Sequence, residues 1–576
     1  MSWRPPPWLA GVALALAAFV AVVSTQGEVG INRDETVYMH HGSRYAGWWI
    51  DLVSGDADAS DAAITKVWGG RESTANNREH PPLVKTLMGL SERLFHDQLG
   101  WTDEVTGYRL PQAALAALLV WLVFLMAWRV WGLAEGVLAA ALVMLMPRPY
   151  FHASIGCFDG PIASLWFATI YAYWRALASR RWQWGVGVVF GLALATKHNA
   201  LLLPGVLGLH YLWLAYRSEH VASTGPWARR LGQALRSTGR GIVRRRPWVI
   251  ASLAVLGPLT LYALWPWLWH APVSRLGDWL GFHLAHVHYN FEYLGDNLNT
   301  PPFPWHVAVV TTLVTAPVVT LVGAALGTGV LIVRARRGQA TDAERAPGLL
   351  LALSVALSMG PFFLGSTPIF GAEKHWQPAM ASVAIAAAVG LVWAARAAAT
   401  ALAALRPRSP TWLPQACAVV VGGLAVTAAA VETGAAQPYA LTHYNALAGG
   451  APGGADLGMN RQFWGYAARG VLPYLRAHAP ADGAPAAPVY THDAQPAWGY
   501  YLRGAQRGAT LPRSLPDSGS EWSRGIEKST WALVVHERHF ARHDYLIWQA
   551  YGTVAPAYVF RVDGVPVVSV YRRPSP

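Results

Sequence analysis

Read for hydropathy, the chain is a succession of apolar runs of roughly 13 to 30 residues separated by short polar breaks. Eleven runs lie near 8–24, 111–127, 132–147, 160–174, 184–196, 199–216, 248–268, 304–333, 348–366, 377–395 and 412–431. Several fall short of the roughly 20 residues that a straight membrane crossing needs, so their ends are approximate. The runs hold almost no Asp, Glu, Lys or Arg, as the cost of burying charge in lipid requires; Glu135 is the exception. The pattern predicts an α-helical polytopic membrane protein with about eleven transmembrane helices.

Two stretches break the pattern. Residues 26–110 form a long loop after the first run, and within it Leu83–Phe95 is apolar at helical spacing with Lys85, Glu92 and Arg93 interleaved. That spacing predicts an amphipathic helix lying in the membrane interface. From residue 433 to 576 short apolar runs such as Ala532-Leu533-Val534-Val535 alternate with Gly, Pro and Asp turns. The chain ends in a predicted hairpin, Tyr558–Val562 and Val565–Tyr571 around Asp563-Gly564. The expected organisation is a membrane domain over 1–432 and a small soluble α/β domain over 433–576.

Composition sharpens this picture. Of 576 residues 53% are hydrophobic and 13% charged, with 29 Trp, against about 25% charged in ordinary soluble domains. The net charge of +13 is mainly a topology signal. With the N-terminus inside, the inner segments carry twenty Arg, among them Arg4, Arg129, Arg217, Arg229, Arg230, Arg244 to Arg246, Arg334, Arg406 and Arg408. The short outer loops carry four basic residues, Arg148, Lys197, Arg275 and Lys374. No nucleic-acid surface is implied. The same rule breaks residues 184–216 into two helices at Thr196-Lys197-His198-Asn199, because one long helix would move the arginine-rich stretch from Arg217 to Arg246 outside. Only Cys157 and Cys417 are present, which give no disulfide framework or thiolate metal site. Residues 1–24 also read as a cleaved signal, but the acidic pair Asp34-Glu35 follows so closely that a retained anchor is preferred.

The predicted topology puts six polar stretches on one face: Asn32-Arg33-Asp34-Glu35, Arg78 through Lys85, Arg148 through Asp159, Lys197-His198-Asn199, Trp265 through Tyr289, and Glu373-Lys374-His375-Trp376. Each alone reads as an interfacial belt or a snorkelling helix end. Lysine usage tightens the reading. Five of the 45 basic residues are Lys, and three of them, Lys85, Lys197 and Lys374, sit at predicted outer helix ends with a His within five residues. A compact ammonium suits a phosphate as a point charge. Carboxylates, cations and aromatic walls at one membrane face suit a lipid-linked phosphate substrate. Cations neutralise the leaving phosphate and a carboxylate takes the proton of a hydroxyl acceptor.

On these residues the chain resembles the C-type multi-span glycosyltransferases, and within them the group of protein O-mannosyltransferases and bacterial aminoarabinose transferases (glycosyltransferase family 39-like). The resemblance rests on Asp34-Glu35, Glu79-His80-Pro81-Pro82-Leu83-Val84-Lys85, Phe158-Asp159 and Trp265-Pro266-Trp267, and covers about residues 1–400. It implies an inverting transfer of a sugar from a polyprenyl phosphate to a hydroxyl or phosphate acceptor on a protein, envelope lipid or glycan, at the outer face of a bacterial-type inner membrane. It makes Asp34 the candidate base, with Glu35 orienting the loop, and Glu79 and Asp159 further pocket acids. Lys85, Arg148 and Lys197 become candidate phosphate holders, with His80, His198, Lys374 and His375 as further substrate-binding candidates. The aminoarabinose transferases usually carry Lys after the glutamate where His80 stands, which leaves the sugar open.

Three other readings stay open. A transporter or flippase would place its ionisable residues near mid-membrane and show internal repeats. A glycan polymerase or ligase would share the donor chemistry. A divalent metal ion could be held by Asp34, Glu79, Asp159 and the outer histidines.

Overall fold

The computed structural model describes residues 6–69, 77–219, 232–233, 235–240, 247–405, 410–481 and 483–574. Of the charge count above, Arg4, Arg229, Arg230, Arg244, Arg245, Arg246, Arg406 and Arg408 lie outside the described residues. Every apolar run falls on helix. Among the described residues eight helices are long and apolar enough to cross a membrane: Trp8–Glu28, Glu104–Val130, His198–Ser218, Pro247–Leu264, Val318–Arg336, Pro347–Leu364, Gln377–Leu405 and Leu413–Ala436. The chain is a multi-span membrane protein.

The remaining runs show why eight differs from eleven. The run near 132–147 is the helix Leu133–Met144, which bends by 72° into the short helix Pro147–Ala153. Pro147 opens the second piece, where its missing N–H costs nothing. Arg148 and His152 lie on the short piece after the bend, and both are buried. The run near 160–174 is Asp159–Ala176, buried along nearly its whole length. A helix enclosed all round is a central member of a bundle. The run near 184–196 is Arg180–Leu194, only 15 residues long. The run near 304–333 divides at Ala316-Pro317 into Val307–Thr315 and Val318–Arg336.

The chain also breaks between Leu194 and His198, where Lys197 is extended. Small residues permit the closest crossings, as usual between membrane helices. A Cβ on Gly327 would stand 1.8 Å from the Ala386 carbonyl oxygen, so Val318–Arg336 lies backbone to backbone on the helix Met380–Leu405.

The first loop is mostly helical. Arg33–Ser54 starts at a capping box, in which the Asn32 side chain accepts from the Glu35 N–H and the Glu35 side chain accepts from the Asn32 N–H. It packs on Leu83–Glu92 where Gly42 meets Gly89. Two short strands, β1 (Phe291–Tyr293) and β2 (Asp296–Leu298), pair in a second loop.

After the last membrane helix comes a four-stranded sheet of β3 (Val489–Thr491), β4 (Trp531–Val535), β5 (Tyr558–Val562) and β6 (Val565–Arg572), in the order β3-β4-β6-β5. β3 and β4 run parallel and the other neighbours antiparallel. Asp563 and Gly564, both at positive φ, turn the last hairpin. Alternation along β4 divides its two faces. Ala532 and Val534 pack with Ile547 and Tyr551 of the helix Ala541–Tyr551. Trp531 and Leu533 belong to a core shared with Ile31 and Met39 of the first loop and Phe151 beyond the bend. The sheet is therefore packed on the residues that lead into the bundle.

Candidate active site

At that end of the bundle lies a cavity of about 660 Å³. Its wall draws on the helix start Arg33 to Tyr38, the turn Asn77 to His80, Phe158-Asp159, the break Lys197 to Leu202, and the loop Thr367 to His375. The C-terminal segment adds Phe463, Trp464, Asp493, Glu537 and His539. A separate groove of about 470 Å³, between Trp49, Val53, Leu87 and Leu264, has no titratable residue in its wall.

Asp34 and Glu35 are adjacent in sequence and opposite in situation. The Glu35 carboxylate is fully buried and accepts from Arg109 Nε and Nη2 at 2.6 and 2.7 Å and from the Gly156 N–H at 2.5 Å. Arg109 spends its other donors on the carbonyls of Gln26, Val29 and Gly30. Asp34 lines the cavity with its side chain 28% exposed. It accepts from the Trp464 indole N–H at 2.9 Å and from Arg33 Nε at 3.2 Å. Arg33 also donates to Asp493 at 2.9 Å.

Asp159 accepts from Lys197 Nζ at 2.5 Å. Behind it the buried His152 stands 3.8 Å from Asp159 on one side and 3.8 Å from Glu373 on the other. Glu373 is paired with Arg148 at 2.6 Å, so two ion pairs flank one imidazole.

Lys374 differs from both paired cations. It lines the cavity and is buried, yet among the described residues no carboxylate is in ion-pair contact with it. Its ammonium lies over the rings of Phe370, Trp464 and Phe463 at 4.5, 4.6 and 5.3 Å. Burial lowers its pKa below the ordinary lysine value, with Asp159 and Asp34 opposing. Burial likewise holds His80 and His375 well below the usual histidine range and His283 at about 4. Among the described residues, the guanidinium and ammonium groups of the wall are those of Arg33, Lys197 and Lys374.

Of the residues named from the sequence, Asp34, Glu79, His80, Asp159, Lys197, His198, Lys374 and His375 come together in this wall. Three do not line it. Glu35 is consumed by Arg109 and the helix cap. Lys85 is fully buried and gives its three N–H groups to Asn77 O, Asn77 Oδ1 and His80 O at 2.8, 2.8 and 2.9 Å, which fixes the turn carrying Glu79. Arg148 is buried on Glu373 and on the carbonyls of Leu441 and His443. Arg109, Trp464, Asp493 and Glu537 were not singled out. Arg109 precedes the second apolar run by two residues and reads there as an ordinary helix end. The other three come from a stretch with no local sign of a site.

The acids do not converge on a shared point for a divalent ion. Asp34 is held by Trp464 and Arg33, Asp159 by Lys197, and Glu79 accepts from Asn77 at 3.0 Å. Among the described residues, the group with ligand atoms close enough to share an ion is Glu92, His96 and Asp97, which does not line the cavity.

Residues 79–235, which include Glu79 and His80, the bend, Asp159 and Lys197, match the family model described as dolichyl-phosphate-mannose-protein mannosyltransferase. The chain is similar to this family of membrane glycosyltransferases. The match supports transfer from a lipid-linked donor. The fold also aligns with solved structures at low identity. For ArnT from Cupriavidus metallidurans bound to undecaprenyl phosphate, identity is 16% over 98% of this chain and 97% of that one, with a TM-score of 0.47. For the oligosaccharyltransferase AglB from Archaeoglobus fulgidus, in complex with an inhibitory peptide and a dolichol-phosphate, identity is 10% over 94% and 71%, with a TM-score of 0.45. A search of curated proteins finds no match.

Proposed function

We propose that the cavity transfers a sugar, with inversion, from a polyprenyl phosphate to an acceptor oxygen, and that it opens on the outer face of a bacterial-type inner membrane with the N-terminus inside. The observation that carries this reading is Trp464. Its indole N–H holds Asp34 while its ring face holds Lys374. One rigid side chain thus touches both a carboxylate and an ammonium that has no ion-pair partner among the described residues, and both line the cavity.

Lys374, with Lys197 beside Asp159, neutralises the phosphate as its bond to the sugar breaks. A preorganised cation in a dry site is worth far more there than in water. The lipid tail follows the exposed apolar lip of Leu201, Phe282 and Leu284, next to the membrane helices. Asp34 takes the acceptor's proton on the opposite side of the sugar, which the inverting geometry requires. Glu79, Asp159 and the neutral His80, His198 and His375 complete the polar wall around the sugar.

Asp34→Asn tests the base. Transfer from radiolabelled undecaprenyl-phosphate sugars should fall by about 10²–10⁴-fold, with undecaprenyl phosphate binding and thermal stability near those of the unmodified chain. Full turnover of this variant at saturating donor and acceptor would sink the assignment.

A further inference from the structure

Inverting transfer needs the leaving phosphate, the sugar carbon and the attacking oxygen in line. The cations that suit a phosphate, Lys374 and Lys197, are grouped with Asp159, which accepts from Lys197 and is also a charged neighbour of Lys374. A second group begins at Arg33, which bonds both Asp34 and Asp493, and Glu537 shares the cavity wall with them. If the phosphate sits at Lys374, the acceptor enters between Asp34 and this group.

The topology explains why these two carboxyls arrive together. β3 and β4 are parallel neighbours, and Asp493 and Glu537 each stand two residues past the carboxyl end of their strand. The carboxyl edge of parallel strands is where open sheets present ligand groups. Asp493 and Glu537 are both buried. Gln462 donates to Glu537 at 2.9 Å, and its own buried amide oxygen has no hydrogen-bond partner among the described residues.

Resting on the transferase reading above, we propose that Asp493 and Glu537 form the acceptor wall of the cavity and select an uncharged hydroxyl acceptor against a phosphate-bearing one. Among the described residues that line the cavity, Arg33 is the one guanidinium or ammonium in this group, and it is already divided between Asp34 and Asp493; burial holds the pKa of His539, 3.5 Å from Glu537, at about 4. An incoming phosphate would meet three carboxyl groups and no guanidinium or ammonium left to pair with it, and a buried charge left unpaired is strongly disfavoured. A hydroxyl acceptor meets the reverse situation, because the carboxyl oxygens of Asp493 and Glu537, which line the cavity, accept from its O–H groups. Burial, with the charge of Asp493 acting on Glu537 and that of Asp34 acting on Asp493, pushes Glu537 well up and Asp493 up as well.

The linkage formed reveals the acceptor class before the acceptor is known. A sugar on a hydroxyl is an acetal that survives mild acid, whereas a sugar on a phosphate is released. Envelope extract is incubated with the full-length protein and radiolabelled undecaprenyl-phosphate sugars, and the product freed of donor is treated with mild acid. Label that depends on the protein and stays bound supports the proposal, and label that is released overturns it. Absence of any protein-dependent label would instead sink the transferase reading itself. For Asp493→Asn with Glu537→Gln, the extract concentration giving half-maximal rate should rise by about 10-fold, the worth of a lost charged hydrogen bond, with a smaller change in maximal rate and in donor half-saturation. Donor and extract half-saturation rising together would mark a merely structural role and overturn the assignment to the acceptor side.

Discussion

Two charged groups of this protein stand on either side of one helix start and behave in opposite ways. The Glu35–Arg109 knot is sealed, with both side chains fully buried and their polar atoms bonded to one another, to the helix cap and to loop carbonyls. The Asp34–Trp464–Lys374 arrangement is open. Asp34 keeps contact with the cavity and Lys374 keeps an ammonium without an ion-pair partner among the described residues. Charges that answer one another in full hold a fold. Charges left partly unanswered in a shaped cavity are free to answer a substrate.

The sharpest way to break this comparison is to cut the sealed knot. Arg109→Met should cost about 3–5 kcal/mol of stability, because it leaves a buried carboxylate uncompensated. The loss should be read as a fall in melting temperature and folded yield in detergent. A well-folded Arg109→Met variant that loses only turnover would move the knot into the catalytic machinery.

On the open side, Lys374→Met should keep the fold and raise the donor half-saturation by roughly 10- to 100-fold, the range for a charged hydrogen bond to phosphate. Unchanged donor kinetics would leave Lys374 as an aromatic-caged strut. A pH series sharpens the point. Only the protonated lysine attracts phosphate, and burial holds the Lys374 pKa below the ordinary value. Binding of undecaprenyl phosphate should therefore weaken as pH rises through that lowered pKa, at a lower pH than an exposed lysine would give. Lys374→Arg, charged throughout the range, should flatten the profile, and an identical profile in this variant would assign the titration elsewhere.

The smallest effect is expected where charges answer one another in water. Arg503 and Glu104 pair at 2.6 Å with the Arg503 side chain 48% exposed. Arg503→Gln should change stability by about 0–1 kcal/mol. A larger loss would show that this contact between the C-terminal segment and the first loop bears more of the docking than its exposure suggests.

The two regions were unequally legible in the sequence. Asp34, Asp159, Lys197 and Lys374 stand at the ends of apolar runs, where periodicity and topology alone bring polar side chains to one end of a bundle. The helical bundle was legible for the same reason. The bend at Met146 and the burial of Asp159–Ala176 were not, since both depend on what neighbouring helices cover. Nor was the division of labour between Asp34 and Glu35. Their surroundings are set by Arg109, 74 residues after Glu35, and Trp464, 430 residues after Asp34, and no local pattern encodes a partner at that range. Asp493 and Glu537 were hidden likewise, because only the pairing of β3 with β4 sets them side by side.

That separation has a consequence in time. Asp34 enters the nascent chain early, but the indole that fixes it is synthesised 430 residues later. The membrane helices between them can insert while the proposed base is still unheld. On the proposed reading, competence arrives as a late event of biosynthesis, when the segment after the last helix docks, and a chain halted before that point would carry its helices into the bilayer as a silent precursor.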